Sequence, residues 1–97
     1  MSRRAARVDA NQAEIVAALR AIGCSVQPLH TVGGGVPDLL VGNAGRTVLV
    51  EVKDGAKPPS DRRLTPDQVT WHAWWLGAPV ATVTDVESAI RAVRVES

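Results

Sequence analysis

The chain has 97 residues, 45% hydrophobic and 22% charged, with a formal net charge of +1. That length suits a single domain, 1–97, with a core of its own, and the balance of apolar and charged residues excludes wholesale disorder. One cysteine and two histidines exclude a disulfide framework, a multi-cysteine zinc site and a zinc cage without carboxylate help, and no apolar run approaches the ~20 residues that span a bilayer.

Residues 1–8 carry Arg3, Arg4 and Arg7 among small residues, which reads as a flexible basic arm. No hydrophobic segment of a secretory signal follows, so the expected setting is a reducing cytoplasm, with no membrane partner and no small-molecule organic cofactor. Asp9 followed by Gln12 resembles a capping box. Ile15, Val16, Leu19 and Ile22 then fall at helical spacing, and Gly23 suits a stop, which predicts a helix over about 10–22. Cys24 to Leu29 alternates weakly and contains Pro28, the pattern of a short strand at a sheet edge. In the loop Gly33-Gly34-Gly35, Gly34 and Gly35 permit close backbone approach to a nucleic acid, and a merely flexible loop is the plainer alternative.

The centre of the chain runs from Val36-Pro37-Asp38 to Glu51-Val52-Lys53. Leu39–Gly42 and Arg46–Lys53 form a predicted hairpin around Asn43-Ala44-Gly45. The second strand is apolar on both faces up to Glu51, the pattern of a central strand covered on two sides. Glu51 and Lys53 share one face, and Val52 points to the other. Register decides whether Asp38 joins them. A two-residue loop at Ala44-Gly45 sets Asp38 opposite Glu51, whereas a three-residue loop without a bulge puts the acids on opposite faces.

A polar loop follows, Asp54–Leu64, with Lys57, Arg62 and Arg63 placed either in solvent or against phosphate. Thr65-Pro66-Asp67-Gln68 starts a helix expected to reach about Leu76, stopped by Gly77 and Pro79. Its tryptophans, Trp71, Trp74 and Trp75, cannot all face one core; packing or a subunit interface suits them better than base stacking. Val80–Val83 is a further strand, and Asp85 caps a last helix carrying Val86, Ala89, Ile90 and Val93. The order is helix, three strands, helix, strand, helix, an α/β (α+β) domain.

Two acids and a lysine at the ends of adjacent apolar strands fit phosphodiester hydrolysis. A Mg2+ or Mn2+ ion neutralises the scissile phosphate and supplies hydroxide near neutral pH, using few carboxylate oxygens. Asp38 and Glu51 are the candidate ligands, with the main-chain carbonyl of Val52, and Lys53 would sit beside the attacking water. An isolated acid-x-Lys is a weak motif. Here a Pro-Asp loop precedes it and a basic loop follows.

Gly35-Val36-Pro37-Asp38-Leu39, Val50-Glu51-Val52-Lys53 and Leu64-Thr65-Pro66-Asp67-Gln68 with Trp71 together resemble the PD-(D/E)xK nuclease superfamily, most closely its small stand-alone VRR-NUC members of phage and bacteria. The resemblance covers roughly residues 10–83. It implies a restriction-endonuclease-like αβββαβ core, a central mixed sheet flanked by helices, here with an extra C-terminal helix. It implies a metal-dependent endonuclease acting on DNA, branched (Holliday-junction) or duplex, in a bacterial or phage-infected cell, working as a homodimer. It further implies that Gln68 lies at the active site, where its sequence position also suits the cap, and that Glu14 of the first helix assists with metal. A non-catalytic nucleic-acid-binding or assembly module of the same fold is the alternative. A purely structural ion-pair network is the third reading.

Overall fold

The computed structural model describes residues 9–94; the basic segment 1–8 lies outside them. Helix α1 (Gln12–Ala21) buries Gln12, Ile15 and Leu19, one stripe at helical spacing. It ends where Gly23 turns to φ +100°. There Gly23 N donates to Arg20 O and Cys24 N to Leu19 O, both at 3.0 Å, the paired bonds of a Schellman cap. Its start differs from the expected capping box. The N-cap is Asn11, not Asp9, and the Asn11 side chain makes no cap bond. Asn11 Nδ2 instead donates to Thr84 O (2.9 Å) and Lys53 O (3.3 Å), tying the helix start to the ends of two strands.

Strands β1 (Ser25–Pro28), β2 (Leu39–Asn43), β3 (Arg46–Val52) and β4 (Ala81–Val83) form one sheet in that order. The first two pairings are antiparallel and β3–β4 is parallel. Helix α2 (Pro66–Trp74) connects β3 to β4, and α3 (Val86–Val93) follows β4. This is the expected α+β order with its mixed sheet and extra C-terminal helix. A short 3-10 turn, Pro59–Arg62, interrupts the polar loop after β3. No helix among the described residues is long and apolar enough to cross a membrane.

The β2–β3 register places Asn43 opposite Arg46 and Leu39 opposite Val50. The loop is therefore the two residues Ala44-Gly45, with φ of +51° and +83°. Both positive values suit the primed turn whose twist matches a hairpin. Extending the register by one residue brings Asp38 level with Glu51.

Period-two alternation sorts the sheet into two unlike faces. Leu39, Val41, Val48, Val50, Val52 and Val83 point inward and pack with Ile15 and Leu19 of α1 and Ala89 and Val93 of α3. The other face falls short of the expected double cover. Thr47 is exposed, Leu40 is 37% exposed, and α2 buries none of its own residues. Trp75 and Ala78, beyond the end of α2, border a cleft with Leu40 and Leu49 on this face. Helix α2 is anchored mainly at its N-terminus, where Gly35 lies against it.

A Cβ on Gly35 would sit 2.2 Å from Asp67 O, and its φ is +87°; Gly34 is also left-handed, at φ +68°, but has open space around it. Gly34→Ala should therefore lose only the backbone cost, about 1–2 kcal/mol, while Gly35→Ala should lose clearly more because α2 must move. Urea unfolding of the two variants checks this, and equal losses would show that the Gly35 contact does not hold the helix.

Candidate active site

Beyond the paired end of the β2–β3 hairpin lies a cleft of about 620 Å3, lined among others by Asp9, Asp38, Glu51, Lys53 and Gln68. Each wall comes from a different element. Asp38 precedes β2, Glu51 lies at the end of β3 with Lys53 just beyond it, and Gln68 lies in the first turn of α2. The Asp38 carboxylate is fixed across the hairpin: its Oδ2 accepts a 2.8 Å hydrogen bond from Val52 N.

Glu51 is 1% exposed and Lys53 8%. Buried charges persist only where they are paired and hydrogen-bonded. A single amide does most of that here. Gln68 Nε2 donates to Glu51 Oε2 at 2.8 Å, while Gln68 Oε1 accepts from Lys53 Nζ at 2.8 Å. The same Oε1 accepts from Thr65 N at 2.9 Å, and Thr65 Oγ1 accepts from Gln68 N at 3.2 Å. Gln68 therefore belongs both to the helix cap and to the cleft.

Electrostatics follow from this crowding. Burial pushes the Glu51 carboxyl up, the neighbouring Asp38 charge and a hydrogen bond shared with Asp38 push it further, and Lys53 opposes them only in part; the result is about 8. The shift favours the protonated form of Glu51 and so weakens the ion pair that its 3.7 Å approach to Lys53 would otherwise make. Burial also raises Asp9, with Lys53 and Lys57 opposing. His72 is lowered by burial and then by Lys53, both of which disfavour its charged form.

The structure brings together Asp38, Glu51, Lys53, Gln68 and the Val52 backbone, with Lys57 and Arg63 on the rim. It does not bring Glu14 or Arg62 there. Both line a separate cleft with Asn11, Asp54 and Asp85. Glu14 is exposed two positions after buried Gln12, off the buried stripe of α1. Gly35 is taken up by its contact with α2, whereas Gly34 is exposed. Two residues at the cleft or bordering it were not among the candidate site residues. Asp9 lines the cleft because the chain enters α1 there, and an acid just before the first helix was the only hint. His72 sits one turn after Gln68 on α2, a spacing that puts both on one helix face.

Among the described residues no group of three or more His, Cys, Asp or Glu side chains converges as a ligand cage. The donors that do converge are oxygens: two carboxylates and the Val52 backbone. Such a set suits a hard divalent cation that retains most of its waters. Burial and the neighbouring Asp38 charge push the Glu51 carboxyl up, a strain that a neutralising cation would relieve.

Comparisons of the chain with protein-family models, with curated proteins and with solved structures find no match.

The Glu51 shift has a sign that can be measured without metal. A carboxyl raised from its ordinary 4.5 to about 8 binds its proton more tightly when folded. The folded state is then favoured at low pH, and stability declines as pH rises from about 4.5 through about 8. Urea midpoints at pH 5, 6.5 and 8.5 should fall in that order, and Glu51→Gln should flatten the series. A wild-type midpoint constant from pH 5 to 8.5 would contradict the proton on Glu51.

Proposed function

We propose that this protein is a Mg2+- or Mn2+-dependent nuclease of the PD-(D/E)xK kind, akin to the small stand-alone VRR-NUC domains, hydrolysing phosphodiester bonds in branched or duplex DNA inside a bacterial or phage-infected cell. The observation that carries the reading is the meeting of Asp38, Glu51 and Lys53 in one cleft on one sheet face, with Gln68 bonded to both Glu51 and Lys53.

Asp38 and Glu51 would hold the cation with the Val52 carbonyl. The bound ion supplies charge neutralisation at the phosphate and an acidified water. The remaining work falls to the chain itself. Asp38 is held at the cleft by Val52 N, which steadies its carboxylate beside Glu51. Lys53, tethered by Gln68, presents its ammonium group where charge develops on the phosphoryl oxygens or where the attacking water must be oriented. Lys57 and Arg63 on the rim suit the phosphates flanking the scissile one.

A 97-residue subunit offers little surface to a branched substrate, and we take the working form to be a homodimer. From Gln68 to Thr84 the chain has no Asp, Glu, Lys or Arg. Within this stretch Val69 is 52%, Trp74 66% and Leu76 95% exposed. An uncharged apolar surface has little to offer a phosphate backbone, and its natural complement is the same surface on a second copy.

Labelled four-way junctions, flaps, duplexes and single strands incubated with magnesium or manganese test the activity. Wild type should cut at least one of them, chelator should stop it, and Asp38→Asn should abolish cutting. Lys53→Ala should lower the rate by roughly 10²–10⁴-fold. Metal-independent, salt-sensitive DNA binding with no cleavage by wild type would point instead to a binding module that lacks catalysis. For the assembly, sedimentation should show a dimer that Trp74→Glu converts to monomer. A monomeric wild type at tens of micromolar would remove the dimer from the proposal.

A further inference from the structure

Two buried polar atoms near the cleft lack any hydrogen-bond partner among the described residues: Glu51 Oε1 and His72 Nε2. They face each other at 4.0 Å. Orphaned buried polar atoms are uncommon, and two that confront each other call for a common explanation. The other Glu51 oxygen, Oε2, is already engaged by Gln68 and lies 3.7 Å from Lys53. The two oxygens thus have different surroundings. Oε2 belongs to the Gln68–Lys53 network, while Oε1 points towards His72, which does not line the cleft.

We propose that His72 is a positioning residue: its Nε2–H is the donor that holds Oε1 of Glu51 from behind, so that Gln68 and His72, one turn apart on α2, grip the two oxygens of one carboxylate. The inference rests on the metal-dependent reading of the cleft and names a residue outside the motif that reading uses. Closing the gap to hydrogen-bond length takes a swing of roughly 1 Å. Imidazole is well suited to that task. Its ring is rigid, one nitrogen donates while neutral, and the edge-on Trp71 ring, with centroids 6.3 Å apart, borders it. His72 acts here through Glu51 and not as a ligand, since its Nε2 faces Glu51 Oε1 and the residue does not line the cleft. Carboxylates that bind metal are commonly held by such outer partners, whose loss weakens affinity about 10–100-fold.

The test has two independent readouts on the full chain. In metal-free protein, long-range nitrogen–proton spectra of the imidazole should show His72 as the Nε2–H tautomer; the Nδ1–H tautomer would overturn the proposal. Calorimetry with Mn2+ then compares wild type, His72→Phe and His72→Gln. Phenylalanine keeps the ring without the donor, and glutamine carries an amide N–H to a similar reach. His72→Phe should bind Mn2+ about 10–100-fold more weakly and His72→Gln should recover most of that loss. A general packing defect would not be rescued this way. Equal Mn2+ affinity in wild type and His72→Phe would defeat the positioning role while leaving the metal reading intact. If wild type bound no Mn2+, the metal reading would fall, and with it the purpose of the grip, while the tautomer would still report whether His72 donates to Glu51. Should His72→Phe fail to fold, His72→Asn, which keeps an amide but with a shorter reach, takes its place and should bind Mn2+ more weakly than His72→Gln.

Discussion

Asp38 and Glu51 face each other across the end of a hairpin, in a place where one of them is almost wholly cut off from water. Two carboxylates so close repel strongly in a low-dielectric site, and burial with that repulsion favours the protonated form of Glu51. Every neighbouring element answers to that confrontation. The Val52 amide steadies Asp38, Gln68 bonds Glu51, and Lys53 brings the single ammonium group of the cluster. A stable fold has no need of such a pair, and apolar residues of similar volume would cost less. The strain becomes intelligible if the proton stands where a divalent cation belongs.

Helix α2 is the clamp on this cluster and is held in an unusual way. None of its residues is fully buried, and Gln68, Trp71 and His72 are half-buried. Its position depends on its first turn, where the Thr65–Gln68 capping box and the close approach of Gly35 to Asp67 fix the helix start. Gln68 is at once the cap that starts the helix and the amide that reads the cleft. Loss of this residue would therefore disturb helix and site together, and the two effects cannot be separated by truncation alone.

The two faces of the sheet divide the labour. The inner face is an ordinary close-packed core of valines and leucines under α1 and α3, and it supplies rigidity. The outer face is polar and strained at one end and apolar and open along α2. Trp71 and Trp75 stack at a centroid distance of 5.2 Å, leaving Trp74 turned outward.

By itself the sequence determined the element order, the edge position of β1, the caps of α2 and α3 and the paired acids, because these depend on local rules. Glycine and proline punctuate, caps need particular side chains, and alternation assigns faces. Even the hairpin register was legible once Ala44-Gly45 was taken as a two-residue turn. What tertiary structure alone decided involves distances between segments far apart in the chain. Asn11 spends its side chain on Lys53 and Thr84 carbonyls and so leaves the helix uncapped, Glu14 and Arg62 fall into another cleft, and α2 leaves Leu40 and Thr47 on the outer face exposed. Asp9 and His72 enter the site's surroundings only because α1 and α2 converge on the end of β3. No spacing within one element encodes that meeting, since it is fixed by how the helices pack and not by their own periodicity.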